Sequence, residues 1–327
     1  MRHKNRPHAL EGCRLRERIL WGGLVIVILS WTGNYLYFQA QQLEQPIFLE
    51  HYYETSMREQ DTIEFTFYYL SNKRNPSEVL YVNVDGVDGY PAPETDFQMW
   101  TTTTNVPQYE QEFSHHYLKS VVLQFQSSFL PIKKGSDVIW SFDKIDVTFK
   151  DGQTITADIG NVKVYGDEPD YEIFDEQISS SSNQHWSQKS MVTTQPLTIE
   201  EITVPFPKEV AKDVYVKLNL TQLPSSKYEE DEPEWFEDLV DLKRNKMEGI
   251  SIAAPIFPLS LKENDWLQLS MRFNPNRESY YDFGIEMKGT TDENNPFLYK
   301  APIIDSPYFS QQKVDDIIKE HQGVNGR

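Results

Sequence analysis

The residues best suited to carry out chemistry in this 327-residue chain do not form a recognisable catalytic arrangement. Nucleophilic catalysis needs an activated serine, threonine or cysteine beside a base that a third group orients. The only cysteine is Cys13, near the N-terminus, and the chain has no G-x-S-x-G, S-x-x-K or H-E-x-x-H string. After residue 38 the histidines, which could act as bases, are His51, His115, His116, His185 and His321. The sequence therefore predicts a protein that is not an enzyme.

Metal binding is the next chemistry to consider. His115 and His116 are adjacent, and adjacent strand residues point to opposite faces, so both imidazoles reach one ion only in a loop. We expect one packed and one exposed histidine. The acidic segments 85–89 and 167–170 offer oxygen ligands of the kind that Ca²⁺ prefers, although neither is an EF-hand string. The prediction is that the protein has no cofactor, with calcium as the alternative.

Glycan chemistry would use paired carboxylates and exposed tryptophans. A glycosidase needs two acids about 5–10 Å apart across a cleft, and 48 acids after residue 38 do not single out a pair. Trp100, Trp186 and Trp235 could stack on sugar rings, whereas Trp140 and Trp266 stand in alternating strands and are expected in the core. A cell-wall glycan-binding protein or glycan-acting enzyme is therefore the alternative function.

Residues 228–241 have the composition of a partner-binding segment. Eight acids occur within these fourteen positions, interleaved with Trp235 and Phe236. Proline and acids come first and basic residues last, which predicts a helix over 232–244. The helix could dock onto a basic groove of a partner, or it could pack its aromatic side on its own domain and solvate its acids. The candidate interaction residues are Glu230, Glu234, Trp235, Phe236, Glu237 and Asp238.

The first element that must position these residues is an N-terminal membrane anchor. Residues 19–38 carry no charge, and twenty helical residues span about 30 Å of hydrocarbon. Residues 1–18 carry six basic and two acidic side chains, a net of 6 − 2 = +4, which predicts a cytoplasmic N-terminus. A cleaved signal peptide is the alternative, but Ala40, the best cleavage site, has Phe38 two positions before it. We expect an uncleaved, single-pass transmembrane helix.

The remainder of the chain is strongly acidic. After residue 38 there are 25 basic and 48 acidic residues, a net charge of −23, which argues against nucleic acid as a partner. This part has no cysteine and hence no disulfide, which favours a bacterial cell envelope over an animal secretory pathway. We expect a membrane or envelope protein as the partner, with glycan as the alternative.

Alternating apolar residues indicate strands along most of this acidic part. The runs 145–149 and 155–159 flank Asp151-Gly152, which predicts a hairpin. The runs 267–273 and 281–287 flank a turn cluster at 274–277 and predict a second hairpin. Helical spacing of apolar residues behind a serine predicts a C-terminal helix at 310–320.

These patterns predict a mostly β protein with two tandem antiparallel β-sandwich domains behind one N-terminal transmembrane helix. The expected divisions are a juxtamembrane stalk at 39–60, a first domain at 61–166, an acidic, serine-rich linker at 167–191 and a second domain at 192–327. The leading function is a non-enzymatic, membrane-anchored extracytoplasmic binding or assembly subunit of a bacterial cell envelope complex. A calcium-dependent adhesion module is a second alternative.

Overall fold

The structure is a computed structural model that describes residues 9–57, 62–93, 109–166, 171–182, 185–220, 232–238 and 247–325. The helices in these residues are α1 (Ala9–Ala40) and α2 (Gln311–Asn325). The strands are β1 (Ile47–Phe48), β2 (His51–Ser56), β3 (Thr62–Asn72), β4 (Val79–Val84), β5 (Val87–Pro91), β6 (Gln111–Glu112), β7 (His116–Gln126), β8 (Ile139–Phe149), β9 (Thr154–Tyr165), β10 (Phe174–Ser182), β11 (Trp186–Thr193), β12 (Leu197–Thr203), β13 (Val214–Leu220), β14 (Ile250–Ser251), β15 (Leu259–Leu261), β16 (Trp266–Phe273), β17 (Tyr280–Thr291) and β18 (Pro296–Asp305).

The prediction of a mostly β fold behind one N-terminal apolar helix is confirmed. The described strands form a thirteen-stranded sheet in the order β1-β3-β7-β5-β4-β8-β9-β2-β17-β12-β15, with β6 added to β7 and β18 added to β17. A five-stranded sheet follows the order β10-β11-β16-β13-β14. One hydrophobic core fills the first half of the molecule and a second core fills the other half. The large sheet therefore contains strands from both halves.

Helix α1 has the length and composition of a membrane span. Its segment Leu20–Ala40 is 21 residues long and apolar enough to cross a bilayer, and none of that apolar surface is buried inside the chain. The sequence predicts the span at 19–38, and the helix continues to Ala40.

The expected stalk is instead part of the fold. Ile47 and Phe48 of β1 are buried in the first core, and β1 pairs antiparallel with β3. Strand β2 then pairs in parallel with β9 on one side and with β17 on the other. The expected stalk is polar in average composition, but it contains a few apolar residues at alternate or adjacent positions. These apolar residues are enough to bury the segment. Residues 58–60 of the expected stalk lie outside the described residues.

The first predicted hairpin is confirmed. Strands β8 and β9 pair with Val147 opposite Ile155, and Gly152 adopts a φ of 89° in the turn between them. A second glycine in β9, Gly160, has a φ of 88° at a register irregularity. A Cβ there would lie 2.6 Å from the backbone oxygen of His51, so the close approach of β2 to β9 requires glycine.

The second predicted hairpin is wrong. Strand β16 lies in the five-stranded sheet between β11 and β13, whereas β17 lies in the large sheet and pairs with β18, β2 and β12. Residues 274–279 carry the chain from one sheet to the other. Alternation reveals that a run is a strand with one buried face, but two such runs can face the same core from opposite sheets.

The segment 167–191 also differs from the expected linker. Residues 167–170 lie outside the described residues, but β10 and β11 form an antiparallel ladder in which Ser182 pairs with Trp186. The ladder extends the five-stranded sheet at its edge. Strand β10 is polar, and its backbone hydrogen bonds to β11 hold it in place. It lies at the edge of the sheet, where a strand needs few apolar side chains.

Helix α2 lies where the sequence predicts a helix, and it extends to Asn325. Ser310 is its cap, since its Oγ accepts a hydrogen bond of 3.2 Å from the backbone N–H of Lys313. The buried residues Val314, Ile317 and Ile318 belong to the first core, although they lie in the sequence of the expected second domain. The C-terminus of the chain thus returns to cover the N-terminal half.

Candidate functional site

Five of the six predicted interaction residues lie on a short 3₁₀ helix, Glu234–Asp238, where the sequence predicts part of an α-helix over 232–244. Residues 239–244 lie outside the described residues. The Phe236 ring is buried edge-on against Tyr215 of β13, with centroids 5.0 Å apart, and the Trp235 indole N–H donates a 2.9 Å hydrogen bond to the Lys212 carbonyl. These two aromatic residues therefore pack on the protein's own sheet.

A buried lysine helps to hold this segment. Lys217 of β13 is 1% exposed, and its Nζ lies 3.8 Å from a carboxylate oxygen of Glu232 and 3.4 Å from the Met247 carbonyl oxygen. Of the six predicted residues, Phe236 is buried, Trp235 is partly buried and Glu234 is exposed. Glu230 lies outside the described residues, and Glu237 and Asp238 end the short helix.

The two adjacent histidines differ in burial, as expected, although only His116 lies in a strand and His115 precedes β7. His116 is 1% exposed and His115 is partly exposed, with ring centroids 6.3 Å apart. In the possible calcium turn, Asp85 and Gly86 both have positive φ angles, and Asp88 accepts a 2.7 Å hydrogen bond from the Asn83 amide. Among the described residues, no three or more His, Cys, Asp or Glu side chains group around a common metal position.

The tryptophans follow the prediction in part. Trp140 is buried in the first core, as expected. Trp266, also expected in the core, is only partly buried, and so are Trp186 and Trp235. Trp100 lies outside the described residues.

A cleft with a volume of about 310 Å³ and a mostly polar lining lies between the two halves. One wall consists of the end of β2 and the beginning of β3. The opposite wall consists of β17 and β18, and Tyr165 of β9 also lines the cleft. The shared strand β2 positions both walls, because it pairs with β9 and β17. This volume lies at the small end of the range of ligand pockets.

A network of buried charges joins the walls of this cleft. Glu54 of β2 forms a 2.8 Å ion pair with Lys300 of β18, and their side chains are 3% and 10% exposed. The same carboxylate accepts a 2.8 Å hydrogen bond from the Tyr165 hydroxyl. Lys300 also lies 3.2 Å from Glu286 and 3.8 Å from the centroid of the Tyr165 ring. Each charge in the network has an opposite charge beside it, as burial demands.

The pKa values of Tyr165 and Glu286 are shifted toward the protonation states that these contacts need. Burial, followed by the neighbouring Glu54 carboxylate, raises the pKa of the Tyr165 hydroxyl, so it stays protonated and donates. Burial opposes ionisation of Glu286, but the hydrogen bonds and charges of Lys288 and Lys300 lower its pKa overall. These ionised and protonated forms give a network of complementary charges and donors.

Asp282 is the acid of the cleft that differs from this pattern. It lies on β17 opposite Tyr53 of β2, and its side chain reaches solvent through the cleft. Desolvation by the surrounding walls raises its pKa from 3.8 to about 6. Asp282 therefore changes charge in a mildly acidic range, in which ordinary aspartates are fully ionised.

The cleft also contains an incompletely paired strand edge. On the side of β3 away from β7, β1 pairs only with Tyr69 and Leu70. Side chains of β2 satisfy two further positions: the Tyr53 hydroxyl donates to the Thr66 carbonyl at 2.7 Å, and His51 Nε2 accepts from the Tyr68 N–H at 2.9 Å. Within the described chain, no further strand covers the 62–65 part of this edge, which lines the cleft. Such an edge is a template for an added strand.

A second cavity of about 720 Å³ lies beside α2. The buried Arg277 lines it, forms an ion pair with Asp305 and lies 3.3 Å from His185 Nδ1. Glu50, also in its lining, accepts hydrogen bonds of 3.1 Å from Tyr52 and 3.2 Å from Ser279. These polar groups are paired with one another, so they contribute to the packing of the two halves.

Sequence reasoning did not identify the cleft. Glu54 stood in the expected stalk, and Lys300, which bonds to it, is 246 residues away. No local spacing links these two residues. The only signal in the sequence was the placement of single charges within otherwise alternating strands, and this chain has many such charges.

Comparison with solved structures gives distant likenesses. The YadV chaperone is 10% identical with a TM-score of 0.20, over 79% of this chain and 98% of the chaperone chain. The secreted serine protease VesC from Vibrio cholerae is 8% identical with a TM-score of 0.18, over 86% of this chain and 55% of the protease chain. The collagen-binding domain of the Erysipelothrix rhusiopathiae surface protein RspB is 10% identical with a TM-score of 0.19, over 81% of this chain and 89% of that domain. Scores this low carry no argument about the protein.

No protein-family model matches the chain, and no curated protein matches it.

Proposed function

We propose that the protein is a membrane-anchored extracytoplasmic binding or assembly subunit of a bacterial cell envelope complex, with no enzymatic activity. Helix α1 inserts into the cytoplasmic membrane with the N-terminus inside. The remainder of the chain, which we call the body, faces the extracytoplasmic space. The observation that carries the binding role is the incompletely paired edge of β3 inside the cleft.

The cleft supports this proposal through its backbone and its charges. A strand edge binds an extended segment through main-chain hydrogen bonds, while side pockets select among sequences. Glu64 and Asp282 border the cleft, so a partner segment with basic side chains complements it. Lys300 is engaged by Glu54 and Glu286 and leaves the acids at the border as the accessible charges.

Residues 232–238, which we call the acidic segment, are a second part of the same proposal. Glu234 is exposed and Trp235 is partly exposed, so these two side chains remain able to contact a partner. Phe236 instead holds the segment on the sheet. A partner that binds here meets an acidic surface whose position is fixed by an internal aromatic contact.

Site-specific photo-cross-linking in cells tests the proposal. A photoreactive amino acid is placed in the full-length protein at Thr62 in the cleft, at Trp235 in the acidic segment, or at the exposed Leu80 on β4 as a matched control. The captured products are identified by mass spectrometry. We expect one stoichiometric membrane or envelope protein at Thr62 and none at Leu80.

The other outcomes separate the alternatives. Capture at Trp235 without capture at Thr62 would assign binding to the acidic segment. Recovery of the protein alone at all three positions would reject the assembly role, and recovery with glycan fragments alone would favour a protein that binds the cell wall.

A further inference from the structure

The C-terminal end of α1 is attached to the body by a hydrogen-bonded clamp. The Asn72 side-chain amide accepts a 2.9 Å hydrogen bond from the Leu43 N–H and donates a 2.8 Å bond to the Leu43 carbonyl. His116 Nε2 donates a 2.9 Å hydrogen bond to the Gln41 carbonyl. Leu43 itself is buried in the first core. These contacts occur within three residues of Ala40, so little free chain separates the helix from the body.

Side chains of the body also contact the last turns of α1. The His115 ring meets Tyr37 and Phe38 edge-on, with centroids 6.2 and 6.0 Å apart. The Arg74 guanidinium lies 5.9 Å from the centroid of Phe38. The span Leu20–Ala40 rises by roughly 30 Å, which equals the hydrocarbon thickness, and aromatic residues at the end of a span lie among the headgroups. Side chains in contact with Tyr37 and Phe38 must lie at that depth.

We propose that the edge of the body formed by Arg74, Asn75 and His115, the helix-exit edge, lies against the headgroup phosphates of the bilayer that α1 enters. This inference rests on the proposed anchoring. Arg74 is exposed and takes part in none of the ion pairs formed among the described residues, whereas its neighbour Lys73 is paired with Glu112. A guanidinium is suited to phosphate because it presents a planar fork of donors.

The position of this edge determines the position of the cleft. Strand β3 runs from Asn72 at the helix-exit edge to Thr62 in the cleft, and eleven residues at about 3.3 Å each extend about 35 Å. The net charge of −23 after residue 38 disfavours contact between the rest of the body and an anionic leaflet. The cleft therefore lies at the opposite end of β3 from the helix-exit edge.

Fluorescence quenching by headgroup-labelled lipid tests this orientation. Cys13 is the only cysteine, so Cys13→Ser gives a background for single labelling sites in the full-length chain. Asn75→Cys reports on the helix-exit edge, and Phe129→Cys reports on the far end, because Phe129 is 68% exposed and follows the end of β7 that pairs with Thr62. Each variant carries bimane and is placed in phosphatidylcholine nanodiscs with or without a nitroxide on the lipid headgroup.

We expect loss of most of the fluorescence for the label at position 75 and little change at position 129. Equal, weak quenching at both positions in protein that remains in the nanodiscs would overturn the orientation and leave the anchoring intact. Failure of the full-length protein to enter nanodiscs would instead overturn the anchoring.

Two further variants test the clamp and the phosphate contact, and a third variant is their control. Asn72→Ala should weaken quenching at position 75, because the body is then free to tilt. Arg74→Gln should also weaken it, whereas Lys319→Gln, at an exposed lysine on α2, should not. Unchanged quenching in Arg74→Gln would overturn the phosphate contact.

Discussion

Glu54 and Lys300 join the two halves through side chains that are almost entirely removed from water. Desolvation of two charges offsets most of their mutual attraction, so the net contribution of such a pair to stability is small. Removing Lys300 is costly, because the buried Glu54 carboxylate then keeps only the more distant Lys163 ammonium, at 4.0 Å, as a counterion. The pair therefore specifies where the halves meet more than it adds to the free energy of unfolding.

Lys300→Met should lower the free energy of unfolding by about 3 kcal/mol. Lys319→Met is the control, since its side chain is 74% exposed and the loss should stay below about 0.5 kcal/mol. Denaturant unfolding of the full-length protein in detergent measures both. Adding Glu54→Gln to Lys300→Met should restore part of the loss, and a single variant as stable as the wild type would contradict the buried pair.

Asp282 should give the protein an unusual dependence of stability on pH. The pKa of Asp282 is about 6 in the folded protein, compared with 3.8 for an ordinary aspartate in the unfolded chain. The folded protein therefore binds this proton more tightly than the unfolded chain does. Protonation therefore favours folding, and the contribution of Asp282 to stability decreases as the pH rises from about 4 to 6. Asp282→Asn removes this contribution.

The difference in Tm between Asp282→Asn and the wild type isolates this effect, because the other acids titrate in both proteins. We expect the two proteins to differ least near pH 4 and the variant to gain Tm relative to the wild type up to about pH 6. A difference that is constant over this range would show that the pKa of Asp282 is not raised.

At the scale of elements, β2 connects the halves, and its packing depends on the backbone of β9. Gly160 lies where β8 and β9 lose their regular register, and β2 pairs with β9 from Gly160 onward. The residue combines a positive φ with a close approach to His51. A side chain at this position would separate β2 from β9 as well as strain the turn of the backbone.

Gly160→Ala should be more destabilising than Gly152→Ala. Both glycines have a positive φ, but a Cβ at Gly152 meets no atom within 4 Å, so this control carries the backbone strain alone. We expect a loss of about 1 kcal/mol for Gly152→Ala and at least about twice that for Gly160→Ala. Equal losses, measured by denaturant unfolding, would show that β2 does not depend on the close contact.

The elements also show why local patterns predict some pairings and miss others. The β8–β9 hairpin was predictable because Asp151-Gly152 sets both the turn and the register within a few residues. The partners of β16 and β17 were not, because the choice between one sheet and two depends on which faces pack together. The 3₁₀ helix at Glu234–Asp238 follows the same rule, since contact with Tyr215 orients Phe236 inward.

At the scale of the whole molecule, the two halves are interleaved. Strand β2 comes from the N-terminal part and pairs with β17, and α2 comes from the C-terminal end and completes the first core. Neither half has all of its core residues within one continuous stretch of chain. We therefore expect the halves to unfold together, because the loss of α2 exposes apolar residues of the first half.

Ile317→Ser tests this coupling. Ile317 is 4% exposed, and replacing it with a small polar residue should lower the free energy of unfolding by about 3 kcal/mol. Glu320→Ser, at an exposed position of the same helix, should cost less than about 0.5 kcal/mol. Hydrogen exchange in denaturant should show faster global exchange in peptides of both halves for Ile317→Ser. Faster exchange in the first half alone would show that the halves unfold separately.

The sequence by itself determined the apolar helix, the negative charge and the strands, because each depends on composition or on spacing within a few residues. The tertiary structure decided that the expected stalk is a shared strand, that α2 covers the opposite half and that Phe236 faces inward. It also brought Glu54 to Lys300 across 246 residues. Such contacts depend on which faces of the strands and helices bury one another. The free energy of this packing is a sum over segments that are distant in the sequence, so no local pattern predicts it.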